Sequence, residues 1–266
     1  GRDITQQDMG SLEALAAFLS QADYSYMGSL TTDELVDMFY PFFCDKMVKD
    51  KALDQEILGR CLECLKAIGD NSGMIERRQE NEVSLGMWDL SANAKLAFTE
   101  AGGFSNFMFP MSIVDYIKGD FTAFENSFIP SLQTGICTKS AYADTAEDFL
   151  KFALSEQVQN SETYQGFPIN SRALQNLADK DRSNMASVAA IKGDDGGYVE
   201  FESKPYSKET AKRLTDICKS LDKPIKEDTK IREVLIESLG GYLNGTESLE
   251  SAIQKIEDGL KMYLAE

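Results

Sequence analysis

The feature that most constrains the fold is a strand-to-helix corner around the only tryptophan of the chain, Trp88. Apolar residues alternate with small or polar ones between residues 83 and 87, which is the period of a half-buried β-strand. A helical run begins directly afterwards, at Ser91. The indole of Trp88 and the carboxylate of Asp89 are therefore expected at a strand-to-helix corner. In open α/β sheets, ligands bind in the crevice outside the carboxyl ends of the strands.

Trp88 and Asp89 together present the two kinds of group that bind a neutral sugar or polyol. The flat ring stacks on apolar C–H faces, and the carboxylate accepts hydroxyl hydrogen bonds that its charge strengthens. Two structural alternatives stand beside this interpretation. A lone tryptophan is often a core or interface anchor, and Asp89 can instead cap the helix that starts at Ser91.

The rest of the chain is predicted to be mainly helical with a few intervening strands, which places it in the α/β class. Thr31 or Thr32 can cap one helix, and the acidic residues that follow favour its positive end. Pro110 is expected to end a strand. Predicted helices cover residues 11–19, 31–42, 54–68, 91–100, 145–154, 171–191, 208–221, 229–243 and 248–264, and predicted strands cover residues 83–87, 104–108 and 128–137.

Histidine is absent from the sequence, which excludes Ser-His-Asp and Cys-His catalysis and any histidine-based metal site. Cys61 and Cys64 form a C-x-x-C inside a predicted helix, where buried thiols are favoured over metal ligands. No P-loop, Rossmann glycine pattern or nucleophile elbow occurs. The 44 acidic residues include no pair whose spacing suggests glycoside hydrolysis. We therefore expect no catalytic residue, no metal and no cofactor.

The net charge of −17 argues against binding to nucleic acid or to an anionic membrane surface. No apolar run has the length of a transmembrane helix, and no signal peptide is present. Because the chain opens on Gly1 rather than on methionine, we expect it to be excised from a longer protein.

Five segments between residues 82 and 266 follow one another in a characteristic order. They are the strand that ends at residues 86–89, the segment 132–140, the helix 146–159, the turn 166–170 and the closing helix pair from 242 to 264. The helix has the pattern A-x-x-F-L-x-F-x-x-S-x-x-x-Q, and the turn has the pattern G-x-P-x-N. Together they resemble the extracellular solute-binding proteins of sugar ABC transporters, the group that includes maltose-binding protein.

The resemblance implies a periplasmic-binding-protein-like two-lobe fold of type II, an α/β architecture that is here helix-rich and truncated. Residues 1–131 are expected to form the second lobe, to which residues 225–266 return. Residues 132–224 are expected to form part of the first lobe, whose N-terminal half would be missing from this sequence. The strand around Gly135 would cross the hinge, and residues 222–224 would make the return crossing.

The same resemblance implies a function. A monomer of this family captures a mono- or oligosaccharide between its lobes and delivers it to the permease of an ABC transporter. Such a protein is a lipoprotein at the cell surface, or else is periplasmic. Two alternatives remain open, namely a non-catalytic helical interaction or scaffold domain, and a binder of another small solute such as a peptide or polyol.

Three candidate ligand residues lie where the family places contacts to the sugar. Trp88 stands where the family often places an aromatic ring, and Asp89 beside it is a hydroxyl acceptor. Arg232, near the start of the penultimate helix, stands where sugar binders can place a ring. A solvated helix arginine is the favoured alternative for Arg232.

Three further candidates, Tyr26, Thr31 and Thr32, lie in the stretch that resembles the other ligand loop of the second lobe. Their match to the family is weaker than that of Trp88. An aromatic core position is the favoured alternative for Tyr26, and a helix cap is the favoured alternative for the two threonines.

Overall fold

The computed structural model of the chain describes residues 4–77, 96–99, 101–104, 107–130, 133–161, 166–181, 187–192 and 197–266. Within these ranges the protein is helix-rich with a few short strands. The α-helices are α1 (Leu12–Leu19), α2 (Thr32–Phe39), α3 (Gln55–Ser72), α4 (Met108–Ile117), α5 (Ala143–Ala153), α6 (Glu156–Gln159), α7 (Ser171–Asp179), α8 (Lys208–Ser220), α9 (Thr229–Leu243) and α10 (Leu249–Ala265). The strands are β1 (Val48–Lys49), β2 (Ala52–Leu53), β3 (Ser127–Phe128), β4 (Ser187–Lys192), β5 (Tyr198–Ser203) and β6 (Lys223–Pro224).

The described strands pair only in twos. β1 pairs with β2 and β4 with β5, both antiparallel, while β3 pairs with β6 in parallel. The larger sheets of a type II two-lobe fold are not among the described elements, so that finer architecture stays a prediction. Residues 78–95, which include Trp88 and Asp89, also lie outside the described ranges. No described helix combines the length and the apolar character needed to cross a membrane.

A first apolar cluster joins α1, α2 and α3 to α9 and α10. Its buried members come from both ends of the chain, between Met9 and Ile68 and between Ile231 and Leu260, with Phe124 between them. All five helices begin with a side chain that accepts a hydrogen bond from the first turn, which satisfies a backbone donor that the helix itself leaves free. These caps are Ser11, Thr31, Asp54, Asp228 and Ser248.

The last two helices approach each other closely at a glycine. A Cβ atom on Gly259 would lie only 2.7 Å from Cγ1 of Val234. Because real Cβ atoms do not come so close to a neighbour, only glycine permits this packing of α10 on α9. The pair in turn covers α2 and α3, so the C-terminal helices complete the core that the N-terminal helices begin.

A second apolar cluster joins α4, α7 and α8. Its buried residues are Phe104, Phe107, Met111, Ile113, Val114, Leu174, Ala178, Tyr206, Ala211 and Leu214. The hydroxyl of Tyr206 donates a hydrogen bond to the carbonyl of Phe104 at 3.2 Å. The guanidinium of Arg213 lies 4.5 Å from the centre of the Phe121 ring and also pairs with Asp120, which ties α8 to the chain after α4.

The chain passes between the two clusters next to the parallel pair of β3 and β6. β3 follows Phe124 of the first cluster, and β6 leads from α8 of the second cluster to α9 of the first. The side-chain amide of Asn126 donates to the carbonyl of Ser220 at 2.7 Å and to the carboxylate of Asp222 at 2.8 Å. The predicted lobe boundaries, after residues 131 and 224, lie beside these two strands. The second cluster nevertheless combines residues 104–114, predicted in one lobe, with residues 174–214, predicted in the other, and the lobe assignment stays a prediction.

Helix α5 differs from the others because none of its residues is buried. Phe149 is 65% exposed and Phe152 is 54% exposed, and the preceding Tyr142 is also exposed. Ile169, in the turn before α7, is exposed as well. The described part of the chain thus leaves an apolar strip along α5 in contact with solvent.

Four sequence predictions of local structure are wrong in the described residues. The helix predicted at residues 91–100 does not include residues 96–99, which are irregular. The strand predicted at residues 104–108 is not formed by its described residues, because residues 104 and 107 are turns and α4 begins at Met108. Pro110 lies in the first turn of that helix, where its missing N–H costs nothing. The helix predicted at residues 171–191 ends at Asp179, and residues 187–192 form strand β4 paired with β5. The strand predicted at residues 128–137 is limited to β3, and residues 133–137 around Gly135 are irregular.

Candidate functional site

The segment that carries Trp88 is bordered on both sides by residues that are fixed to one loop. On one side, the N–H of Ile75 donates to the carbonyl of Leu30 at 3.0 Å. On the other, the N–H of Leu96 donates to the carbonyl of Tyr26 at 2.9 Å. Residues on both sides of this segment are therefore hydrogen bonded to the loop of residues 26–30. This loop immediately precedes the predicted contacts Thr31 and Thr32.

Asn71, near the end of α3, holds the beginning of this loop in place. Its side-chain oxygen accepts a hydrogen bond from the N–H of Tyr26 at 3.1 Å. Its side-chain nitrogen donates to the carbonyls of Leu19 at 3.2 Å and Tyr24 at 3.0 Å. A single amide thus satisfies three backbone groups that no helix or strand would pair, and it fixes the path of the chain from α1 to α2.

The structure places the side chain of Tyr26 in the core. It is 2% exposed, stacks on Tyr24 with ring centres 4.6 Å apart and meets the edge of Phe18 at 5.0 Å. The hydroxyls of Tyr24 and Tyr26 are 2.9 Å apart and hydrogen bonded. Tyr26 thus occupies the aromatic core position that was the favoured alternative to ligand binding, and its packing stabilises the loop.

Thr31 is the cap of α2, as the capping alternative predicted. Its hydroxyl accepts a hydrogen bond from the N–H of Glu34 at 3.3 Å, and the Glu34 carboxylate accepts from the N–H of Thr31 at 2.9 Å. This reciprocal pair is a capping box. Thr32 is the first residue of the helix and is partly exposed, and its hydroxyl makes no hydrogen bond within the described part of the chain.

Arg232 forms a two-point ion pair with Asp37 of α2. Its Nε donates to one carboxylate oxygen at 2.5 Å and its Nη2 donates to the other at 2.7 Å. The Arg232 side chain is 37% exposed and that of Asp37 is 44% exposed, so the pair is accessible from solvent. The hydrogen bond to Asp37 raises the pKa of the guanidinium, which stays charged at any physiological pH.

Two contacts between α2 and α9 show how the candidate residues are arranged. Near the start of α2, the hydroxyl of Thr32 faces Gly240, late in α9. Near the end of α2, Asp37 meets Arg232, early in α9. The two helices therefore run antiparallel, and Arg232 lies more than one helical turn, about 8 Å, from Thr32 along α2.

The first turn of α9, which carries Arg232, is fixed by Asp228. One oxygen of this carboxylate accepts from the N–H of Ile231 at 3.0 Å, and the other accepts from the hydroxyl of Tyr263 at 2.6 Å. Tyr40 is also buried here, and its burial, followed by the charge of Glu227, raises its pKa to about 12. The helix end that presents Arg232 is thus held by the C-terminal helix and by the residues after α2.

The C-x-x-C cysteines, Cys61 and Cys64, do not have the character of activated nucleophiles. Burial raises the pKa of Cys61 to about 12 and that of Cys64 to about 11, so both thiols are protonated at neutral pH. Thiolates, not thiols, bind metals and attack electrophiles. Among the described residues, no group of three or more acidic or cysteine side chains could hold a metal ion.

A small cleft lies elsewhere, between α1, α3 and the residues after α2. Its volume is about 160 Å³, below the ~300–1,000 Å³ typical of ligand pockets. Lys46 lines it and lies 3.5 Å from Glu125. Glu125 is buried and accepts a hydrogen bond from the N–H of Leu12 at 3.0 Å, which anchors the start of α1. This cleft contains no predicted ligand residue.

Sequence reasoning missed Asp37, Asp33 and Asn71. The spacing of Asp33 and Asp37 puts both carboxylates on one face of α2, which was a visible signal for an acidic helix face. Nothing local pointed to their partner, because Arg232 is 195 residues away. Asn71 gave no signal, because it lies near the helix end where any polar residue is acceptable.

No protein-family model matches the chain, and no curated protein matches it significantly. Its function is therefore inferred from the resemblance of its motifs and from the geometry of the candidate residues.

Proposed function

We propose that the chain is the extracellular solute-binding component of an ABC importer, which captures a carbohydrate between two lobes and delivers it to the permease. The observation that carries the proposal is the division of the described core into two apolar clusters, between which the chain passes on both sides of α4 and again next to the paired strands β3 and β6. Two bodies joined by short crossing strands can close on a ligand by hinge motion.

The arrangement of the candidate residues supports the location of the ligand. The segment that carries Trp88 and Asp89 is bordered by residues bonded to the loop before α2. Thr32 and the Arg232–Asp37 pair lie on the contact between α2 and α9. Hydroxyl, guanidinium and carboxylate groups are donors and acceptors that suit a polyhydroxylated ligand.

Capture works by a shift of population. The open and closed forms are in equilibrium, and a sugar favours the closed form only through the additional contacts that it makes there. The closed form is then the one that the permease recognises. The protein acts as a monomer outside the membrane, lipid-anchored at the cell surface or in the periplasm, and its net charge of −17 disfavours nucleic acid as a partner.

One observation favours a second candidate, a non-catalytic interaction or scaffold domain. The apolar strip of α5 is exposed, and Phe149 and Phe152 on it are large. Exposed strips of this kind mark surfaces that other polypeptide covers. On the solute-binding proposal, that polypeptide is the remainder of the first lobe, whereas on the scaffold proposal it is a separate protein.

A thermal-unfolding screen against neutral and charged mono- and oligosaccharides, with peptides and polyols added, tests the proposal. It is run on this chain and on the full-length protein that its gene encodes. A ligand at a hundred times its dissociation constant should stabilise the protein by about 2.7 kcal/mol. A Trp88→Ala variant should lose this response.

Tyr116→Ala is the matched control, because Tyr116 is an exposed aromatic residue on α4, a helix of the second cluster that carries no candidate residue. This variant should keep the full response to ligand. Sugar-induced stabilisation that is the same in Trp88→Ala and in the unaltered protein would remove Trp88 from the site. If no sugar, peptide or polyol raises the melting temperature of the full-length protein, the proposal is rejected and the scaffold domain is the better explanation.

A further inference from the structure

We propose that the Arg232–Asp37 pair makes the ligand site select neutral sugars over anionic ones. This inference rests on the proposed function, because it assigns a selectivity to the same cleft. It concerns a property that the resemblance to solute-binding proteins does not specify, namely the charge of the sugar.

The first step is the geometry of the pair. Asp37 occupies the edge of the guanidinium formed by Nε and Nη2. A free arginine would offer such a two-donor edge to the carboxylate of an anionic sugar, which is the strongest contact that a guanidinium makes. Because Asp37 already takes that edge, a ligand carboxylate is left with the Nη1 side of the guanidinium, where its charge lies close to the charge of Asp37.

Arg232 and Asp37 still have donor and acceptor positions that a ligand can use. Nη1 of Arg232 makes no hydrogen bond within the described part of the chain, so its donors are available. Each oxygen of Asp37 has a second lone pair that can accept a hydroxyl proton. A donor and an acceptor side by side match two neighbouring hydroxyl groups, each of which can donate and accept. The pair therefore suits a vicinal diol.

The third step is the local charge. Asp33 lies one turn before Asp37 on the same face of α2, and its charge acts on Arg232. The nearby cation Lys230 lies 3.8 Å from Glu233, which offsets it. Two aspartates around one arginine leave a net negative charge, so an anionic ligand is repelled. At a partly exposed site this repulsion amounts to about threefold to tenfold in affinity.

The test compares neutral sugars with the uronates that differ from them only at C6, where a carboxylate replaces the hydroxymethyl group. D-glucose is paired with D-glucuronate, and D-galactose with D-galacturonate, and the dissociation constants are measured by titration calorimetry at low and high salt. The unaltered protein should prefer the neutral member of a pair by at least about threefold, and added salt should reduce the preference. Thermal unfolding of the same samples shows whether each protein is folded.

Asp37→Asn removes the competing charge while keeping the shape of the side chain. It should shift the ratio of affinities toward the uronate by about threefold to tenfold. Asp120→Asn is the matched control, because Asp120 also pairs with a partly exposed arginine, Arg213, but at the second cluster. The control should leave the ratio unchanged.

The outcomes separate this inference from the proposed function. If neutral sugars and uronates bind the unaltered protein equally, or uronates bind better, the proposed selectivity for neutral sugars is wrong. The proposed sugar-binding function is not affected by that result. The same conclusion follows if Asp37→Asn and Asp120→Asn change the ratio alike. If no sugar of either charge binds, the proposed function itself fails, and the inference fails with it.

Discussion

Helix α3 and helix α5 are both amphipathic, yet the apolar face of α3 is buried and that of α5 is exposed. On α3, Leu58, Leu62, Leu65 and Ile68 are completely buried beneath α1, α9 and α10. On α5, no residue is buried. The difference teaches that an amphipathic pattern predicts a helix and the face that needs cover, while the cover itself comes from distant parts of the chain or from other polypeptide.

The largest expected effect compares two phenylalanines, one from each region. Phe39 is fully buried between α2 and its neighbours, so Phe39→Ala should destabilise the protein by about 3–5 kcal/mol. Phe149 is 65% exposed, so Phe149→Ala should change the stability by no more than about 0.5 kcal/mol. Urea unfolding measures both. A loss of several kcal/mol in Phe149→Ala would mean that α5 is covered in solution.

Alkaline pH gives a second way to examine the first cluster. Burial raises the pKa of Cys44 from 9.0 to about 12 and that of Tyr40 from 10.0 to about 12. A pKa that is higher in the folded state gives stability that is complete below the unfolded pKa and is lost as the pH rises through the folded one. One pKa unit corresponds to about 1.4 kcal/mol.

The free energy of unfolding should therefore fall by at least about 2 kcal/mol between pH 9 and pH 12. Urea titrations across this range measure it. Cys44→Ala should reduce the dependence on pH, because it removes one of the buried groups with a raised pKa. Cys137→Ala is the control, since Cys137 is exposed beyond β3, and it should leave the dependence unchanged. Equal slopes in all three proteins would show that these ionisations do not govern alkaline stability.

Substitution of two glycines by alanine tests how tightly the helices of the first cluster are packed. A Cβ on Gly259 would lie 2.7 Å from a methyl of Val234, whose branched side chain moves little, so Gly259→Ala should cost about 1–2 kcal/mol. A Cβ on Gly59 would meet Ile253 at 3.6 Å, an ordinary contact. Gly59→Ala should therefore stabilise α3 by about 0.5–1 kcal/mol. Thermal unfolding that showed stabilisation by both substitutions would mean that α9 and α10 separate easily, whereas destabilisation by both would mean that α3 also packs tightly on α10.

The sequence predicted the helices of the first cluster because their signals are local. A capping side chain and a 3.6-residue period lie within each helix, as in α2 and α9. Strand β4 was mistaken for helix because its two alanines favour a helix, while its pairing with β5 lies outside any local window. For the candidate site, the cap at Thr31 was predictable, but the partner of Arg232 was not, because it depends on the packing of α2 against α9.

The smallest effect is expected at the cap of α2, where stability and ligand binding can be separated. Thr31→Ala removes the hydroxyl that accepts from Glu34 and should cost about 1 kcal/mol, or about 2–4 °C in melting temperature. Thr31→Ser keeps a capping hydroxyl and should lose little. If Thr31 only caps the helix, both variants keep the same sugar-induced shift above their own melting temperatures. A shift that disappears in Thr31→Ala and returns in Thr31→Ser would instead assign the hydroxyl to the ligand, and α2 would then take part in binding through its first residues as well as through Asp37.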